Sequence, residues 1–281
     1  METAPPSRYR LRMMNTAKPV GDLLREWRQR RRLSQLDLAC EAEISTKHLS
    51  FLETGRSQPS RDMVLHLAEQ LEVPLRERNL LLVAAGYAPV FTERPLADPA
   101  LDQARRAVEL VLQGHEPYPA LAIDRHWTAV AVNQATRRLF AGAEPALLRP
   151  PINVLRLSLH PAGLAPRIAN LAEWRWHLLT RLRRQIELTA DPVLMQLLSE
   201  LSDYPRTERF APGTPAPDRD PSGVIVPLQL VTEVGILVFF GTTTVFGTPV
   251  DITLSELALE AFYPADEATA AALRKLAGDA R

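Results

Sequence analysis

The sequence is poor in the residues that most often announce chemistry. Its 281 residues hold one cysteine, Cys40, and only three lysines, Lys18, Lys47 and Lys275. A single thiol excludes an internal disulfide and fits a reducing compartment. Cys40 falls within an apolar-patterned segment, so it is expected to be a small buried residue rather than a redox sensor. With no lysine between Thr92 and Ala270, that stretch lacks the base a self-cleaving Ser-Lys peptidase needs. There is no glycine-rich phosphate cradle. His115, His126, His160 and His177 are widely spaced, with no His-x-His, His-Glu-x-x-His or cysteine cluster, so no metal site, cofactor or catalytic group is expected. Asp124 and His126 are close together, but they fall in a turn, where aspartate is favoured for backbone hydrogen bonding rather than for a catalytic pair. No apolar run approaches the roughly 20 residues that span a bilayer, and Met1 to Pro19 has arginines without an apolar centre. Neither a membrane span nor a signal peptide is expected, and the expected location is the cytoplasm.

Charge of one sign is also missing. There are 33 Lys+Arg against 33 Asp+Glu, a net charge of zero. Up to residue 90 the count is 14 against 11, or +3, and beyond it 19 against 22, or −3. Bulk charge is therefore a weak footprint for nucleic acid, and any such reading must rest on motif and on local clustering such as Arg25, Arg28, Arg30, Arg31 and Arg32. A 46% hydrophobic and 23% charged composition is that of an ordinary globular protein, at a length that admits two domains.

What is present is most informative between Ser34 and Thr54. Ser34 with Asp37 three residues on has the capping-box pattern, and Ser45 is placed to cap a second short helix, so two helices are joined by a very tight turn. Leu36, Ala39, Ile44, Leu49 and Leu52 are the apolar or small positions that would let the helices cross closely. Ser45, Thr46, Lys47, His48 and Ser50 then fall at the start of the second helix, where side chains reach base edges when a helix enters a major groove end-first. A helix over Val20–Arg32 precedes, with Leu23, Leu24 and Trp27 buried. Its arginine-rich end is open to two readings, a phosphate contact or a solvated face. Ser60 caps a fourth helix carrying Val64, Leu67, Ala68 and Leu71, and Pro74 starts a fifth that stops at Gly86.

Gln35, Ala39, Ile44, Leu49, Leu52 and the following Glu53-Thr-Gly-Arg-Ser-Gln-Pro-Ser60 resemble the helix-turn-helix of the XRE group, whose members are similar to phage Cro and repressor proteins. The resemblance implies an all-α five-helix bundle that reads DNA. Arg28 and Gln35 would touch phosphate, Thr46, Lys47, His48 and Ser50 would face base edges, and Arg56 would hold the backbone beyond the turn. One departure stands out. The turn position usually occupied by glycine is Glu43, for which a positive φ costs about 1 kcal/mol or more.

Residues 1–19 have no period and are expected to be an arm, 20–88 the helix-turn-helix domain, 89–99 a proline-interrupted linker and 100–281 a second domain. That second domain opens with a helix over Leu101–Leu112. Two β-type runs come next, Ala120–Asp124 and Trp127–Val132, and then an Asn133-capped helix, Gln134–Phe140. Residues 153–201 are mostly helical, and Ala211–Gly223 is another proline-rich loop. Val224–Leu230 and Gly235–Phe246 are expected to be the central strands, with Leu257–Tyr263 adding another and Ala268–Leu276 a closing helix.

His115-Glu-Pro-Tyr-Pro-Ala, the Asp-Arg-His-Trp hairpin, Asn133, Phe246-Gly-Thr-Pro249 and Phe262-Tyr-Pro-Ala-Asp266 together resemble the ligand-binding domain of the MmyB-like regulators. That family joins an XRE-type reader to an α+β PAS-like domain with an antiparallel sheet. The resemblance implies a homodimeric transcription regulator that binds double-stranded DNA at an inverted repeat and holds a small apolar ligand, such as a fatty acid or acyl compound. Trp127, Trp174, Trp176, Phe239, Phe240 and Phe246 either line a hollow or simply pack a core, and both roles stay open at this level. Arg181 or His177 is the helical group to meet an acyl carboxylate. Two alternatives remain: an acyl-processing enzyme with an accessory DNA-binding head, and a protein-interaction adaptor whose helix-turn-helix no longer reads DNA.

Overall fold

The computed structural model describes residues 18–205, 226–247, 249 and 251–278. Most of the expected arm, the loop at Ala211–Gly223 and the start of the strand expected from Val224 lie outside the described residues. The described chain divides into two compact units, one up to Glu93 with Asp251 and Ile252, the other comprising the remainder.

The first unit is all α: α1 (Val20–Arg30), α2 (Gln35–Glu41), α3 (Thr46–Glu53), α4 (Arg61–Gln70) and α5 (Leu75–Ala84). Side-chain caps set three of the starts. Ser34 Oγ accepts from Asp37 N at 3.1 Å while Asp37 accepts from Ser34 N at 2.8 Å, the reciprocal box that satisfies two otherwise orphaned amides. Ser45 and Ser60 accept from His48 N and Met63 N. Leu24, Trp27, Leu38, Ala39, Leu49, Leu52, Val64, Leu67, Leu71, Leu81 and Leu82 form one core. Gly21 brings α1 onto the end of α3, where a Cβ would overlap the carbonyl oxygens of Leu52 and Glu53.

Two expectations about α2 are corrected. Leu36 is 60% exposed and Cys40 is also exposed, whereas Leu38 is fully buried. Residues four apart share a helix face, so 36 and 40 look outward together once 38, 39 and 42 face the core. Glu43 takes a φ of +52°, keeping the tight turn without the glycine. The expected linker is held to the first unit at its start. Asn79 donates to Phe91 O at 2.7 Å and accepts from the amides of Val90 and Phe91.

The second unit contains α6 (Asp102–Gly114), β1 (Ala120–Ile123), β2 (Ala129–Val132), α7 (Gln134–Phe140), α8 (Val154–Leu159), α9 (Leu171–Thr189), α10 (Pro192–Asp203), β3 (Leu228–Thr232), β4 (Gly235–Val245), β5 (Ala258–Pro264) and α11 (Glu267–Gly278). All strand pairs are antiparallel, in the order β2-β1-β5-β4-β3. This is the expected α+β class, but the expected strand order is corrected. The centre is β5, between β1 and β4, and β3 is an edge. Sequence pattern cannot separate an edge from a centre when both carry β-branched residues. Asn133 ties the hairpin together. Its Oδ1 accepts from Thr136 N and Ala120 N, and its Nδ2 donates to Tyr118 O at 2.7 Å.

One sheet face meets the large core that includes α8, α9 and α10. The other carries a smaller cluster of Val108, Leu112, Ala120, Ala122, Leu257 and Leu259.

Candidate functional site

The first candidate surface is the N-terminal end of α3. Leu49, Leu52 and Glu53 point into the bundle, so Ser45, Thr46 and Lys47 stand exposed, with His48 and Ser50 half-buried beside them. Arg56 is exposed just past Gly55, which ends the helix at a φ of +71°. Phe51 lies between the two cations. Lys47 Nζ is 5.6 Å and Arg56 Cζ 5.8 Å from its ring centroid, distances at which the ring face attracts positive charge. The arrangement presents two cations, one in the first turn of α3 and one just past its C-terminal end, with several short polar groups beside the first.

Arg28 does not join them, and its expected phosphate contact is corrected. It is buried, donating from Nε to Glu53 Oε1 at 2.6 Å, from Nη2 to Glu53 Oε2 at 2.8 Å and from Nη1 to Leu33 O. Glu53, with no exposed side-chain surface, needs that partner, since a buried carboxylate without one would be costly. Burial alone would push the Glu53 carboxyl up, but hydrogen bonds from Arg28 and Gln35 and the charges of Arg28 and Arg25 hold it below the usual range. Gln35 Nε2 donates to Glu53 Oε2 at 2.8 Å, so one amide hydrogen is committed inward. Arg31 is likewise turned to Leu71 O and Glu72 O. Much of the arginine cluster therefore builds the bundle. The signal missed in the sequence was Glu53, an acid in an otherwise apolar stripe.

The second site is a cavity of about 450 Å³ in the second unit, between the sheet and the α8–α9 layer. This lies in the range of about 300–1,000 Å³ typical of small-molecule sites. Trp127, Trp174, His177, Arg181 and Phe239, all expected, line it together with Leu121, Phe140, Leu155 and Phe262. Trp127 reaches the wall from a left-handed backbone, φ +65°, with its indole N–H donating to Gln185. Trp174 stacks on His177 with centroids 5.5 Å apart and donates to Ser158 Oγ at 3.0 Å. Burial, then the nearby Arg181, lowers the His177 pKa and favours a neutral imidazole, against the weaker pull of Glu260 and Glu173.

Two aromatics expected here lie elsewhere. Phe240 stacks on Tyr263 at 5.3 Å, and Phe246 packs with the smaller cluster on the other sheet face. Strand side chains alternate between faces, so Phe239 enters the cavity and Phe240 cannot, while Phe246 lies past the end of β4. Arg181 is on the wall but already has a carboxylate. Its Nη2 and Nη1 donate to the two oxygens of Glu260 at 2.8 and 3.2 Å, and its guanidinium lies 4.9 Å from the Trp127 ring. Thr243 Oγ1 also bonds Glu260, at 3.0 Å. Sequence reading had no means of pairing residues 79 positions apart.

Asp124 fills the expected turn role, accepting from His126 N and Thr128 N at 2.8 Å. The His126 ring instead meets Asp191, which caps α10, at 3.0 Å. Among the described residues no group of three or more His, Cys, Asp or Glu could hold a metal ion, and no helix is long and apolar enough to cross a membrane.

Comparison with known proteins adds two matches. Residues 104–276, more than half of the chain, match the MmyB-like transcription regulator ligand binding domain, and residues 19–81 match a helix-turn-helix domain. A curated protein of Methanoculleus marisnigri, named as an HTH-type transcriptional regulatory protein, is 36% identical over 111 residues. That alignment covers 38% of this chain and 35% of the relative, so the chain spans about a third of the relative's length. A solved RNA-binding light-oxygen-voltage receptor is 12% identical across 99% of this chain and 69% of its own, with a TM-score of 0.24, too low to carry an argument.

Proposed function

The chain belongs to the MmyB-like transcription regulators, and from that premise we propose that it is a sequence-specific DNA-binding regulator controlled by a small apolar ligand. In this reading residues 20–88 are the DNA-binding head, 89–99 the connector and 100–281 the ligand-binding and dimerisation domain. The observation that carries it is the outward N-terminal end of α3. Leu49 and Leu52 are turned into the bundle, leaving Thr46, Lys47, His48 and Ser50 to meet base edges and Gln35 and Arg56 to meet phosphates. One small head has limited affinity, so a homodimer reading an inverted repeat with half-sites about 34 Å apart is the functional unit.

The ligand is a fatty acid or related acyl compound, a class that suits an aromatic and aliphatic cavity of about 450 Å³. A ligand controls DNA binding only through unequal affinity for the competent and incompetent states, so filling the cavity shifts the balance between them. Selection from random duplexes at moderate salt tests the DNA reading. An enriched, two-fold symmetric site is expected, and recovery of no site by folded protein overturns it. The mass of any small molecule retained through purification tests the ligand class.

A further inference from the structure

We propose that the ligand's acidic head group sits at the cavity mouth on Arg184, not on Arg181, with its apolar tail directed inward. The inference rests on the ligand reading above and assigns the orientation and the anchoring residue. Successive residues step about 100° around a helix, so Trp176, Thr180 and Arg184, four apart, form one stripe along α9. All three line the cavity and all three are exposed, which makes that stripe its rim. The adjacent arc of the same helix, with Trp174, His177 and Arg181, lines the interior.

Three groups on the wall could answer an anion, and the structure separates them. Arg181 already donates to both oxygens of Glu260 and to Thr243. A ligand carboxylate placed on Arg181 would either crowd Glu260 with a like charge or leave that buried acid unpaired, and both are unfavourable. His177 is half-buried against the Trp174 ring, with its imidazole favoured in the neutral form, so it offers hydrogen bonding without charge. Arg184 has neither an ion pair nor a hydrogen bond among the described residues, and it keeps its full donor set at the rim. A largely aromatic and aliphatic interior, whose one charged pair is already neutralised, ending at a guanidinium with no partner among the described residues, matches an amphiphile with a single negative charge, head outward.

Dodecanoate and methyl dodecanoate, which share a tail and differ in charge, provide the test. The three tryptophans on the wall, Trp127, Trp174 and Trp176, serve as fluorescence reporters. In the full chain, Arg184→Gln is expected to weaken dodecanoate roughly five- to ten-fold. Methyl dodecanoate should be unaffected. Arg183→Gln, an exposed neighbour off the cavity wall, should change neither. Dodecanoate binding that is unchanged in Arg184→Gln, or weakened equally in Arg183→Gln, overturns the anchor while leaving the ligand reading intact. Binding of neither compound by the unaltered chain overturns both.

Discussion

The guanidinium of Arg28 grips the carboxylate of Glu53 with two parallel bonds, Nε to Oε1 at 2.6 Å and Nη2 to Oε2 at 2.8 Å, inside the five-helix bundle. The pair joins α1 to the last turn of α3, so it fixes the seat of α3 from behind. Glu53→Gln should keep the shape but leave Arg28 buried without its counter-charge, costing about 3–5 kcal/mol. Calorimetry on the full chain should show the first unit's transition moved down, and an unchanged transition would argue that water reaches the pair. The Glu53 pKa is depressed in the fold, so its stabilisation is complete above the unfolded carboxylate range, about 4.3, and is lost as pH falls through the folded value.

Lys47 lies on the exposed end of α3 beside the Phe51 ring. Lys47→Ala is expected to weaken binding to the selected duplex by about 1–3 kcal/mol if it reads a base. If it meets phosphate instead, the salt slope should fall by about 1. Circular dichroism should not change. Fluorescence anisotropy across a salt series separates the two contacts, and equal affinity at every salt concentration would remove Lys47 from the interface.

Glu43 holds the turn between α2 and α3 at a φ of +52°. Glu43→Gly should relieve left-handed strain and raise the stability of the first unit by about 0.5–1 kcal/mol, after the entropy glycine loses on folding. Removing a carboxylate beside the reading helix should also strengthen nonspecific DNA binding. A denaturant midpoint that stays put or falls would show that Glu43 makes a compensating contribution in the turn.

Asp191 of the second unit has a strongly lowered pKa. Burial opposes its ionisation, but the His126 hydrogen bond, the Val193 amide and the Arg125 charge overcome that and lower its carboxyl from 3.8 to about 2. The folded pKa is depressed, so this stabilisation is present above about pH 4 and is lost as pH falls toward 2. Asp191→Asn keeps an oxygen for the Val193 amide but loses the charge. It should lower the second unit's melting temperature at neutral pH and flatten its acid limb between pH 4 and 2. An acid limb as steep as before would mean that other carboxylates control it.

Local rules carried much of the fold. Ser34, Ser45, Ser60 and Asn133 cap where their spacing put them, because a cap depends on a side chain and an amide within three residues. Gly55 ends α3 for an equally local reason. The cavity aromatics were legible as a set, but their sorting was not. Phe239 and Phe246 look alike in sequence, and only the register of β4 and its end decide which reaches the hollow. Leu36 and Cys40 misled because a seven-residue helix is too short for its apolar stripe to be phased from composition.

By itself the sequence determined the helix starts, the tight turn, the outward polar end of α3 and the α+β class of the second unit, since each depends on neighbours along the chain. Tertiary structure alone decided which charges are available. Arg28 and Arg181 were each read as ligands for an anion, and each is held by an acid of its own, Glu53 or Glu260, 25 and 79 residues away. An arginine's partner is chosen by proximity after folding, where a buried carboxylate without a counter-charge is the costlier outcome. Arg184, with nothing to mark it in the sequence, stands at the cavity rim with no such acid beside it among the described residues.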